Sequence, residues 1–197
     1  DNGNYFRGGD MHYVDQNGDH RIDSKDRVAL GSAAPDFFGG FYTQFKYKGF
    51  ALGAEFSYSK GNMAYNAVRN QLEGMNTLGN QSIAVLNRWS LDGQVTDMPR
   101  VQHNDPYRST SFSERWLEDA SYLRMKSVTL SYSFDKTVLN FFRSGTLYVS
   151  GENLLTATKY LGLDPEFSYS YGETSQGLDY AKMVQPKSVK FGVNLKF

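Results

Sequence analysis

Polar and apolar residues alternate with a period of two in five stretches of the chain, the period of strands with two unlike faces. In the first, Phe41, Thr43, Phe45 and Tyr47 share one side, and Tyr42, Gln44, Lys46 and Lys48 the other. After a turn at Lys48-Gly49, Phe50, Leu52, Ala54, Phe56 and Tyr58 oppose Ala51, Gly53, Glu55, Ser57 and Ser59. A third strand is predicted from Tyr122 to Phe134, with Val128, Leu130, Tyr132 and Phe134 against Ser127, Thr129, Ser131 and Ser133. In its first half Arg124 and Lys126 fall in phase with the apolar set, so that half would project beyond any hydrocarbon layer. The fourth strand is short, with Leu147 and Val149 against Tyr148 and Ser150. The fifth sets Val189, Phe191, Val193, Leu195 and Phe197 against Ser188, Lys190, Gly192, Asn194 and Lys196.

The connections alternate in length. A tight turn follows the first strand, a long segment (Lys60 to Ser121) the second, a short one (Asp135 to Gly145) the third and a long one (Leu154 to Lys187) the fourth. Transmembrane barrels show this alternation because their periplasmic turns are short and their extracellular loops long. The fold class expected is therefore all-β, a segment of about five antiparallel strands of a transmembrane β-barrel. Five strands cannot close a barrel, since barrels begin at about eight. A soluble sandwich also alternates inward and outward residues. Ser, Gly, Asn and Lys on one face and Phe, Tyr and Leu on the other favour a wet lumen and a lipid surface.

Composition sharpens this picture. Lys+Arg and Asp+Glu are equal at 21 each, so no basic surface points to nucleic acid. Cysteine is absent, which removes disulfides and thiolate metal sites, and the three histidines form no zinc motif. Tyr 14, Phe 14 and Trp 2 make 15% of the chain, beside 19 Gly and a mean hydropathy of −0.55. No apolar run approaches the ~20 residues of a membrane helix, but barrel strands need only ~10 with every second residue apolar.

The sharpest chemical constellation is residues 15–26. Asp15, Asn17, Asp19, Asp23 and Asp26 occupy positions one, three, five, nine and twelve of a calcium-loop spacing, with the Arg21 carbonyl at seven and Ile22 as the apolar anchor at eight. A hard cation wants six to eight oxygens, and this spacing folds them around one point. Two departures stand out: His20 replaces the glycine of position six, and Asp26 replaces the bidentate glutamate of position twelve. The alternative is a polar turn with side chains bonded to its own backbone. Trp89 and Trp116, each beside an arginine, could meet a ligand in the outer loops, but more often such residues pack a long loop together. Glu118 and Asp119 are adjacent strand residues pointing to opposite faces, not a catalytic pair. No nucleophile elbow, phosphate loop or zinc motif is present, and no enzyme is expected.

The last strand, with apolar residues at Val189, Phe191, Val193, Leu195 and a final Phe197, resembles the signal that the barrel assembly machinery recognises in outer-membrane proteins. Nearly the whole chain resembles the C-terminal portion of SusC/RagA-type TonB-dependent outer-membrane transporters. Ordered blocks carry the resemblance: 9–19, Asp26-Arg27, Leu30-Gly31, Pro35, Gly39-Gly40, Asn87-Arg88-Trp89, Pro99-Arg100, 116–124, 151–156, Thr158-Lys159-Tyr160 and Asp164-Pro165-Glu166. It implies a barrel of about 22 strands around a plug in a Gram-negative outer membrane. It also implies a SusD-like surface lipoprotein above the barrel, energy from the TonB complex, and import of oligosaccharides or peptides. Residues 1–38 would form an extracellular loop containing the 15–26 segment, and 39–197 barrel strands and loops; plug, TonB contact and earlier strands would lie outside this chain. The competing reading is a secreted all-β calcium-loop module that binds glycan or a partner protein.

Overall fold

The computed structural model describes residues 7–135, 143–167 and 175–197. Strands β1 (Phe37–Tyr47) and β2 (Phe50–Lys60) are followed by β3 (Met63–Asn66) and a seven-residue helix α1 (Ala67–Glu73). Then come β4 (Leu117–Asp119), β5 (Tyr122–Asp135), β6 (Ser144–Thr158), β7 (Leu178–Asp179) and β8 (Ser188–Lys196). Single 3-10 turns occur at Ser24–Asp26, Ile83–Asn87 and Glu114–Trp116.

The five alternating stretches are the five strands of one antiparallel sheet, ordered β1-β2-β5-β6-β8. Lys48 and Gly49 both take left-handed backbone (φ 44° and 84°), which is what a two-residue hairpin turn requires. The antiparallel order puts the 48–49 turn and the β5–β6 connection at one end, and the long segments 61–121 and 159–187 at the other. Residues 136–142 of the short connection lie outside the described residues.

Two expectations need correction. The fourth strand is not short: β6 runs 15 residues, so its connection begins at Lys159 and not at Leu154. Asn153 stands in left-handed backbone (φ 52°), and β6 sets two residues there against one of β5, which ends the clean period beyond Ser150. The segment 60–121 is also more than a connection, because it contributes β3, α1 and β4. With β7 these form a second sheet, ordered β4-β3-β7.

The hydrophobic cores sit in this loop region and not under the large sheet. One gathers Ala64, Ala120 and Tyr160 with Phe167 against them; another gathers Met75, Val85 and Met98. Asn62 joins the two sheets, because its carbonyl accepts from the Ala120 amide (2.9 Å) while Gly61 N donates to the Ser121 hydroxyl (3.0 Å).

Candidate functional site

Cross-strand pairing carries every apolar position of the five alternating stretches onto one face. Phe45, Leu52, Leu130, Val149 and Phe191 form one row; Tyr47, Phe50, Tyr132, Leu147 and Val193 form the next. These side chains are bare: Phe45 is 69% exposed and Phe191 82%. Aromatic pairs bracket the aliphatic middle. Phe41 stacks on Phe56 (4.8 Å) with Phe37 edge-on to Tyr58 (6.2 Å) toward one end, and Phe50 meets Tyr132 (4.6 Å) at the other. An 11-residue strand such as β1 rises about 36 Å, or roughly 27 Å at a barrel tilt near 40°, close to the ~25 Å apolar band of such walls.

The opposite face is polar and hydrogen-bonded across strands. Thr129 donates to Ser150 (2.9 Å), Ser133 and Thr146 hydroxyls meet at 3.1 Å, and Glu152 accepts from Ser188 (2.9 Å) and Lys190 (2.5 Å). Tyr42 and Tyr148 lie flat across Gly53 and Gly192, where any side chain would collide; a Cβ on Gly53 would sit 2.7 Å from the Tyr42 oxygen.

Arg124 and Lys126 do not project with the apolar set as their phase predicts. Glu55 pairs with Ser127 and Phe56 with Met125, so Lys126 is an extra residue in β5. This bulge resets the alternation and turns Arg124, opposite Ser57 and Thr156, to the polar face. There Arg124, 3% exposed, is ion-paired to Asp164 and to Glu166 (3.0 Å) and donates to Thr156 (3.0 Å); Lys126 reaches Glu166 at 2.6 Å. Burial alone would raise the Asp164 carboxyl. Hydrogen bonds from Arg124 and the amides of Glu166 and Gln185 outweigh it and hold the group below its usual range. The cluster thus pins two parts of the 159–187 segment over the polar face at one end of the wall. Nearby, Tyr160 donates to Asp179 (2.6 Å), and burial followed by that carboxylate pushes the phenol upward.

The 60–121 segment is organised by Arg69. Asn66 caps α1 by accepting from Arg69 N (2.9 Å). The guanidinium bonds Glu73 (2.9 Å), Glu118 (3.0 Å) and the Arg115 carbonyl (3.1 Å). Burial pulls its pKa down, but the two carboxylates pull harder and the net shift is upward. Trp116 lies beneath Arg69 (5.7 Å) and Arg115 (5.0 Å) at 1% exposure, leaving no open ring face for a ligand. Trp89 lies against Gly8 and Gly9, where a Cβ would stand 2.7 and 2.6 Å from the indole. Beside it Asp10 takes Arg100 and Gln102, so Trp89 packs residues 8–10 to the 87–102 loop. Glu118 and Asp119 are separated as expected: Glu118 faces Arg69 and Asn66, Asp119 faces Ser121 and Lys60.

In the acidic loop, Asp15 accepts from Gly18 N and His20 N (both 2.8 Å), Asn17 from Asp19 N (2.9 Å) and Asp19 from Arg21 N (2.9 Å). Asp26 accepts from Gln16 N (2.9 Å) and Asp23 N (2.7 Å), and Asp23 from Lys25 N (2.7 Å). These amides hold Asp15 below its usual range, against a slight upward pull from lost hydration. His20 takes φ 62°, the left-handed conformation that glycine supplies at position six. Among the described residues no three acidic or histidine side chains converge into a metal cage. Each carboxylate oxygen nevertheless retains lone-pair capacity beyond the amide bond it accepts, and oxygen donors are the type a hard cation takes.

The residues that composition and spacing missed are Arg69, Arg124, Lys126, Asp164 and Glu166. One signal was present: two basic residues in phase with lipid-type side chains are a conflict that a bulge resolves.

No family model matches the chain. It is 32% identical over 197 residues to the TonB-dependent receptor P3 of Formosa agariphila, covering 96% of this chain and 19% of that protein. It is 26% identical over 188 residues to the TonB-dependent receptor SusC of Bacteroides thetaiotaomicron, covering 94% and 17%. Among solved structures, the RagAB peptide importer in its open-open state superposes with a TM-score of 0.74 at 28% identity, covering 94% of this chain and 20% of that one. The closed-closed state gives 0.70 at 27% identity, with 91% and 20% covered. The chain thus spans about a fifth of the length of the curated relatives it matches.

Proposed function

Because this chain belongs to the SusC/RagA-type TonB-dependent receptors, as one segment of such a barrel, we propose that it is outer-membrane wall and outer loop of a nutrient importer. The observation that carries this reading is the two-faced sheet: a bare apolar face bracketed by aromatics, backed by a polar face that would line the lumen. In this reading the segment is C-terminal, Val189 to Phe197 serve as the assembly signal, and the 61–121 and 159–187 loops face outward. Cargo is an oligosaccharide or a peptide, a SusD-like lipoprotein covers the outer end, and TonB supplies energy through parts of the protein outside this chain. The relatives are receptors and importers, in keeping with a protein that moves its cargo without cleaving it.

The test compares two adjacent residues in the full-length protein. Leu130→Lys puts a charge on the lipid face and should cost about 2–4 kcal/mol of barrel stability, whereas Ser131→Lys faces water and should cost far less. Equal effects on denaturant unfolding in lipid vesicles would overturn the assignment of faces. For the acidic loop, the calcium-loop spacing and left-handed His20 support Ca2+ binding by Asp15, Asn17, Asp19, Asp23, Asp26 and the Arg21 carbonyl. Calcium titration should then raise amide protection across residues 15–26. No change in protection or melting removes this part of the proposal.

A further inference from the structure

A cavity of about 740 Å³ opens between residues 13–30 and 106–114, and its lining is unlike that of an ordinary loop crevice. Val14, Ile22, Val28 and Leu30 on one wall and Phe112 on the other are all exposed, and all of them line this one space. Scattered exposed apolar residues need no explanation; five converging on one concave site of ligand size do. Phe112 is held by stacking on Tyr65 (4.5 Å), which leaves its other side to the cavity.

The second wall is also strained. Asn104, Asp105 and Arg108 stand in left-handed backbone (φ 62°, 48° and 56°), conformations that cost about 1 kcal/mol or more each and persist only where surroundings enforce them. Asp105 does so by accepting from Ser109 N (2.5 Å) and Thr110 N (3.0 Å), and Tyr13 donates to the Arg108 carbonyl (2.6 Å), tying one wall to the other. The guanidinium groups of Arg27 and Arg108 border the cavity and meet no carboxylate among the described residues. The acidic groups of the lining divide in two: Asp23 and Asp26 are turned to loop amides, while Glu114 stands free on the far lip.

We propose that this cavity is a subsite for a short peptide, seating an apolar side chain between the two walls and its terminal carboxylate on Arg27 and Arg108. Glu114 stands where the peptide's amine can reach it. The aliphatic wall argues for an apolar side chain over a sugar, whose hydroxyls need polar partners that Val14, Ile22, Val28 and Leu30 do not supply. This inference rests on the import reading and names the cargo class for one site within it.

Titration calorimetry on the full-length protein in detergent tests it, with leucyl-phenylalanine, its C-terminal amide, and a glucuronic-acid disaccharide as probes. The dipeptide should bind about tenfold more tightly than its amide, the worth of a charge-assisted bond. The Arg27→Met, Arg108→Met double variant should lose that same factor for the acid and nothing for the amide. Heat-modifiable mobility checks that the variants assemble; if the double variant does not, Val28→Asp or the acid–amide comparison on the unmodified protein decides. Equal binding of acid and amide, no binding of the dipeptide, or preference for the uronate would each overturn the proposal. An assembled outer-membrane barrel that ignores the dipeptide leaves the import reading standing and sinks only this one.

Discussion

Trp116 and Arg124 are the two side chains on which the outer loops depend, for different physical reasons. Trp116 buries nearly all of a large ring under two guanidinium groups, so Trp116→Ala should cost about 3–5 kcal/mol, seen as lost amide protection across 60–121 in hydrogen exchange. Arg124 is a buried cation between two carboxylates, and removing it strands Asp164 without its partner. Arg124→Met should therefore destabilise the loop attachment by about 3–5 kcal/mol. The pH dependence follows from the same pair. Asp164 is held below its unfolded value of about 3.9, so its contribution is complete above that pH and is lost as pH falls below it. Protection of residues 159–167 should be flat from neutral pH down to about 4 and decline under more acidic conditions. Protection that rises on acidification would contradict the pairing.

At the scale of elements, the bulge at Lys126 decides which way half of a strand faces. Deleting Lys126 restores strict alternation, swings Arg124 to the apolar face and should release the 159–167 segment, while pairing below Ser127 stays intact. Exchange rates that fall only in β5 and leave 159–167 protected would show that the bulge does not position Arg124. The terminal strand invites a second experiment. Deleting Phe197 in the full-length protein should sharply reduce the assembled, heat-modifiable form, because that residue ends the apolar row of the proposed assembly signal. Full retention would count against the signal. The hairpin end was readable from the start, since Lys48-Gly49 between two alternating runs admits little else. The end of β6 was not, because a bulge erases the period-two signature that marks a strand.

For the whole molecule, five strands leave β1 and β8 as open edges, and the apolar face has no layer over it among the described residues. Produced alone, the segment should fail to give a heat-modifiable species in detergent; within the full-length barrel it should give one. A monodisperse, detergent-free monomer would revive the soluble-module reading. Alternation alone settled the five strands, the membership of each face and the parity of the loops, because side-chain direction in a strand depends only on local backbone geometry. The calcium-loop spacing was equally legible, being a pattern of near neighbours. What only the tertiary structure decided lies between residues distant in the chain: Arg124 with Asp164, Arg69 with Glu118, and the two walls of the Tyr13–Phe112 cavity. No local period encodes those meetings. They depend on where a bulge resets a strand and on how two long loops fold back over its end.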